Sequence, residues 1–143
     1  MPAMLRSMTN AAIAAAPSTV QFASVRLITN EVDRLVSFYE LLTGTAATRL
    51  SPEFAEIRLA GATVAIGSER TVKQFNAGAA IAAANRSAII EFQVADVDAL
   101  RTRLGTAPVE CVMPPTDMPW GNRSMLLRDP DGSLINVFSR LQR

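Results

Sequence analysis

LITNEVDRLVSFYELLTG, running from Leu27 to Gly44, changes its hydrophobic period partway along, and that change sets the order of the first elements. It completes a segment, Val20–Ile28, in which Val25 and Leu27 fall on one face and Ser24, Arg26 and Ile28 on the other. This is the two-residue alternation of a strand with one buried side. Asn30 reads as an N-cap with Asp33 three residues on, after which Val32, Leu35, Val36, Tyr39 and Leu42 recur at helical spacing until Gly44 stops the helix. Phe38 and Tyr39 follow that stripe and belong to a core, unless the Tyr39 hydroxyl reaches a ligand. Glu53–Leu59 and Thr63–Ser68 then read as two short strands joined by Ala60-Gly61-Ala62.

The same order returns downstream. Ile89–Val94 alternates, Asp96 can cap a helix that runs through Leu100 and Leu104 to Gly105, and Arg123–Arg128 and Ser133–Phe138 flank the turn Asp129-Pro130-Asp131-Gly132. Val25-Arg26-Leu27 overlays Ile90-Glu91-Phe92, and Glu31-Val32-Asp33 overlays Asp96-Val97-Asp98, at one offset of 65 residues. Gly61 overlays Gly132 at an offset of 71. Two copies of one βαβββ unit imply an α+β fold with two small sheets side by side. The expected organisation is a flexible tail over 1–19 and a single domain over 20–143, made of module one (20–68), a linker rich in Ala, Gly and Asn (69–87) and module two (88–139). Arg6 and the Ala11–Ala16 stretch imitate a secretory signal, but the apolar part is short, and cleavage there would leave almost no spacer before Val20.

Composition narrows the function. The chain has 143 residues, about half apolar, enough for one core. Its 14 Lys+Arg stand against 13 Asp+Glu and are scattered singly, which argues against a nucleic-acid partner. No run approaches the ~20 apolar residues that span a bilayer, so no membrane partner is expected. Cys111 is the only cysteine and suits a reducing compartment, the cytoplasm. The chain contains no histidine, which excludes Ser–His–Asp, Cys–His and His-based zinc chemistry.

Leu27–Gly44 resembles the opening of the vicinal oxygen chelate superfamily, which includes glyoxalases, bleomycin resistance proteins and extradiol dioxygenases. Pro119–Phe138, PWGNRSMLLRDPDGSLINVF, resembles its ending, so that with the repeat the likeness covers about Val20 to Phe138. The resemblance implies two βαβββ modules forming a curved mixed sheet around a cavity, and a homodimer. It also implies a divalent metal held from the start of each module's first strand and from each module's last strand. Those positions fall here on Ser24, Ile89, Ala65 and Asn136. Two alkyl groups cannot coordinate, and a hydroxyl with an amide leaves a dication uncompensated. The expectation is therefore no metal, no cofactor and no metal-dependent catalysis. The surviving cavity would sequester a small, planar aromatic ligand, as drug-binding resistance members of the family do.

Strand parity turns Ser24, Arg26 and Ile28 towards that cavity from module one, and Ile89, Glu91 and Gln93 from module two. Arg26 and Glu91 would hold polar groups of a ligand, or else pair with each other or reach solvent. The rival function is a cofactor-free or substrate-assisted isomerase or lyase, with Arg26 as electrostatic stabiliser and Glu91 as general base. A third reading is a structural dimer module filled by its own side chains. Trp120, in a turn-rich segment, is a candidate stacking platform or a plug at a sheet end or dimer contact. Asn136 offers a donor and an acceptor, to a ligand or to a neighbouring strand. Asp129 and Asp131 read as turn formers, Cys111 as an inert small hydrophobe and Lys73 as solvated.

Overall fold

The computed structural model describes residues 19–142, so that the expected N-terminal tail lies, but for Thr19, outside the described residues. In chain order the elements are β1 (Val25–Thr29), α1 (Val32–Thr43), β2 (Thr48–Ser51), β3 (Phe54–Arg58), β4 (Thr63–Ser68), α2 (Glu69–Lys73), β5 (Ile89–Gln93), α3 (Val97–Leu104), β6 (Glu110–Asp117), β7 (Asn122–Arg128) and β8 (Leu134–Arg140). They make two four-stranded sheets with the orders β1-β4-β3-β2 and β5-β8-β7-β6. In each sheet the module's first strand lies parallel to its last, and the other pairings are antiparallel. The mixed sheet is thus present as two equivalent halves, and it does not close into a barrel.

Local chemistry explains the helix boundaries, with one correction. Glu31 rather than Asn30 occupies the N-cap of α1, and no side chain of the cap bonds the first turn. Instead the Glu31 N–H donates to Thr29 Oγ1 at 3.1 Å, so the buried end of β1 fixes the cap residue itself. Gly44 ends the helix with φ +67°, a left-handed conformation that strains any residue with a Cβ. In α3, Asp96 caps as its sequence position implies, its carboxylate accepting from the Ala99 N–H at 3.1 Å.

One hydrophobic core runs through both modules. Leu27, Ala55, Ile57, Val64 and Ile66 from the first sheet meet Leu35, Val36, Phe38, Tyr39 and Leu42 of α1, and continue into Val97, Leu100 and Leu104 of α3 and Met125, Leu127, Ile135 and Val137 of the second sheet. Each such buried side chain contributes about 1.5–3 kcal/mol. Each sheet therefore buries the face that carries α1 or α3 and leaves an outer face, which in the first sheet is met near Gly67 by Thr71 of α2.

Polar ties fix one module against the other. The Tyr39 hydroxyl donates to Asp129 Oδ2 at 2.7 Å, while Asp129 Oδ1 accepts from the N–H groups of Asp131 at 2.9 Å and Ser133 at 3.0 Å. The turn-forming role expected for Asp129 is present, and its second oxygen does a further job that the local sequence does not reveal. Arg103 of α3 donates to the carbonyls of Leu41 and Leu42, giving α1 a cation at a C-terminus that has none of its own.

Residues 69–87 are more ordered than a linker. They begin with α2, and the Ala83 N–H then donates to Ile28 O at 3.1 Å, which holds the segment to the end of β1. Among the described residues no helix is long and apolar enough to cross a membrane.

Candidate functional site

The outer faces carry Arg26, Glu91 and Asn136, for a simple reason of parity. Leu27 and Thr29 are buried, so the alternation of β1 sends Arg26 and Ile28 to the other side. Arg26 lies beside Ala65 of β4, which lies beside Glu56 of β3. In the second sheet Ile90 and Phe92 pack on the core, so Glu91 faces the other way, beside Asn136 of β8 and then Leu126 of β7. Arg26–Ala65–Glu56 and Glu91–Asn136–Leu126 are thus matching rows of the two modules.

The rows differ in what holds them. The Arg26 guanidinium lies 5.3 Å from the ring centroid of Phe54 and 5.3 Å from that of Phe75, an aromatic clamp on a cation. Gly67, next to Phe54 in the sheet, makes room for it: a Cβ there would come within 2.8 Å of Thr71 Oγ1 and 3.3 Å of the Phe54 ring. The other cation on this face, Arg58, pairs with Glu56 at 2.8 Å. In the second module Asn136 Nδ2 donates to Glu91 Oε2 at 2.8 Å, and Asn136 Oδ1 is buried with no partner.

Several candidate residues come out differently from their alternatives. No ion pair joins Arg26 to Glu91, and each sits on its own sheet. Ser24 is exposed just before β1, and Ile89 opens β5 with 52% of its surface exposed. Trp120 is 69% exposed in the turn between β6 and β7, where Gly121 takes φ +99°, so it plugs no sheet end among the described residues. Tyr39 is wholly buried and its hydroxyl is spent on Asp129, which closes the reading of it as a ligand contact. Cys111 is exposed rather than a buried hydrophobe, because the strand β6 that carries it lies at the edge of its sheet, and its Sγ accepts from Arg101 at 3.1 Å.

Phe54 and Phe75 were not singled out from sequence. Phe54 shares the parity of Glu56 and was legible from the alternation of β3. Phe75, a lone aromatic among Ala, Gly and Asn, gave no periodic signal.

Two recesses accompany these faces. One of about 130 Å3 lies at the end of β1, lined in part by Arg26, Ile28, Ile81, Asn85 and Ser133. The other, about 640 Å3, lies by the β7–β8 turn among Arg34, Phe38, Arg86, Glu110 and Arg128. Neither of these two recesses is lined by Glu91, Trp120 or Asn136.

A divalent metal does not fit the four family positions. The Ala65 and Ile89 side chains have no ligating atom, and Ser24 and Asn136 offer only a neutral hydroxyl and a neutral amide oxygen. Among the described residues no group of three or more Cys, Asp or Glu could hold a metal ion.

A family model described as the Glyoxalase/Bleomycin resistance protein/Dioxygenase superfamily matches residues 21–137. A glyoxalase/bleomycin resistance protein/dioxygenase from Nocardioides is similar in structure with a TM-score of 0.70 at 21% identity, over 99% of this chain and 93% of its own. A family enzyme of the same description from Burkholderia phytofirmans PsJN gives 0.73 at 16% identity, over 85% of this chain and 100% of its own. A glyoxalase-related enzyme from Fulvimarina pelagi gives 0.71 at 22% identity, over 84% and 88% respectively. At these identities the likeness is one of fold. No curated protein matches the sequence.

Proposed function

Because the chain belongs to the Glyoxalase/Bleomycin resistance protein/Dioxygenase superfamily, we propose that it keeps the fold's binding face without the fold's metal, and sequesters a small planar ligand in the cytoplasm. The observation that carries this reading is the donor set. The positions where the family places its metal ligands hold Ser24, Ala65, Ile89 and Asn136, and these cannot balance a dication. What remains is recognition chemistry: Arg26 on one sheet with Ser24 just before its strand, Glu91 and Asn136 on the other, and Trp120 at the β6–β7 turn as a stacking surface.

The rival isomerase or lyase has less support. Its base, Glu91, is bonded to Asn136 and makes no ion pair with Arg26. Ligand enclosure supplies a reason for a homodimer, since open sheet faces with Ile89 at 52% exposure leave apolar surface for a second chain to cover. Light scattering at high micromolar concentration is expected to return a dimer mass, and a monomer mass would end that part of the reading.

Fluorescence tests the binding itself, because Trp120 is the only tryptophan. Planar aromatic compounds are expected to quench it saturably, with the same affinity before and after treatment with a chelator. Affinity lost with the chelator, or silence across a diverse panel, would overturn the proposal.

A further inference from the structure

We propose that Arg26, clamped between Phe54 and Phe75, is a carboxylate receptor, so that the ligand of the proposed binding face is a planar aromatic monoacid. The inference rests on the reading of the chain as a binder and adds the chemical class of what it binds.

The geometry of the clamp carries it. A guanidinium offers its flat faces to aromatic rings and its five N–H groups around its edge. Here both kinds of contact can be separated. Both rings lie with their centroids 5.3 Å from the guanidinium carbon and hold the cation through cation–π contact. Beyond its backbone pairing in the sheet, the Arg26 guanidinium makes neither a hydrogen bond nor an ion pair with the described residues, so its N–H donors have no acceptor among them. A long side chain is thereby ordered in advance while its recognition edge stays open, which lowers the ordering cost of binding.

The matching row of the other module shows what would otherwise occupy that edge. Glu91 has the polar Asn136 beside it and uses it, at 2.8 Å. Arg26 has Ala65 beside it, a methyl group that can accept nothing. Glu56, one strand further, is committed to Arg58 at 2.8 Å. Arg26 is therefore a positive charge without an ion-pair partner, beside the apolar Ala65 and Ile28. A single guanidinium matches a monoanion, and its planar fork matches a carboxylate through two parallel hydrogen bonds. The aromatic walls of the clamp, with Phe75 74% exposed, favour an acid whose carboxylate is attached to a flat ring.

Calorimetric titration of the intact chain with 2-naphthoate and its neutral isostere 2-naphthamide separates this inference from the reading beneath it. The acid is expected to bind more tightly by a factor of about 10 or more, the value of a charge-assisted bidentate contact. In Arg26→Gln the ratio is expected to fall to about 1, and in Arg26→Lys, which keeps the charge and loses the fork, to an intermediate value. Phe75→Ala is expected to weaken the acid more than the amide. Equal affinity of acid and amide for the unaltered protein overturns the carboxylate receptor and leaves the planar-ligand reading standing. A preference for the acid that survives in Arg26→Gln overturns the assignment to this residue. Binding of neither compound overturns the monoacid inference, while the planar-ligand reading is decided by the fluorescence panel. The acid–amide comparison in the unaltered chain decides the ligand class even if a variant were to fold poorly.

Discussion

The two modules share one backbone plan and use it for opposite electrostatics. At matching positions module one carries Arg26 beside Ala65, and module two carries Glu91 beside Asn136. The second row satisfies itself through a 2.8 Å hydrogen bond, whereas the first leaves its cation clamped by rings with no polar partner. The difference teaches that a duplicated scaffold keeps its core symmetric, because packing demands it, and lets the outer faces diverge, because nothing in the core requires those side chains. It also locates the asymmetric joint. Tyr39 has no counterpart in the second helix, where the offset places Leu104, and it ties module one to the β7–β8 turn of module two.

Breaking that joint is expected to produce the largest effect. Tyr39→Phe leaves the buried Asp129 short of one charge-assisted hydrogen bond and should cost about 1.5–3 kcal/mol of folding stability in denaturant titration. A change below about 0.5 kcal/mol would mean that the tie does not hold the modules. The pH dependence follows from the same contact. Burial, and then the charge of and hydrogen bond to Asp129, push ionisation of the Tyr39 hydroxyl well above its ordinary value. The contact's contribution is therefore fully present below the unfolded-chain value of about 10, and is lost as pH rises beyond it. Stability should fall on that alkaline side in the parent protein and fall less in Tyr39→Phe. Tyr39 is the only tyrosine, so tyrosinate absorbance should appear together with unfolding. Tyrosinate signal from the folded protein near pH 10 would contradict the account.

A smaller and more selective effect is expected at the face of module two. Trp120 is 69% exposed, so Trp120→Ala should change the unliganded stability by less than about 0.5 kcal/mol. It should nevertheless weaken planar-ligand binding by about 1–2 kcal/mol through lost stacking. A large fall in unliganded stability, or a dissociated dimer with unchanged ligand affinity, would assign the residue to an interface instead. The smallest effect is expected at the self-satisfied row. Asn136→Leu removes a buried oxygen that has no partner, and should leave stability unchanged or raise it by up to about 1 kcal/mol. A loss above about 1 kcal/mol would show that the amide is needed where it stands.

Much of this was legible in the sequence because it depends on short-range pattern. The alternation of Val25 to Ile28 gave the strand and the side on which Arg26 lies, and the overlay of Asp96-Val97-Asp98 on Glu31-Val32-Asp33 gave the duplicated helix. The parts that were not legible depend on contacts between distant residues. Thr29, not Asn30, serves the start of α1, since a buried strand end had already placed its hydroxyl there. The clamp joins Phe54 of β3 to Phe75, separated from it by α2, and only the fold brings both rings to Arg26. Asp129 was read correctly as a turn former, while its bond to Tyr39, 90 residues away, has no local signature.

The central claim is that the binding face works without the family's metal, and elemental analysis of the purified protein tests it most directly. The result expected is far less than one equivalent of zinc, iron, nickel or manganese per chain, with thermal stability unchanged by a chelator. One equivalent per chain, removed by the chelator with loss of stability or of ligand binding, would contradict it.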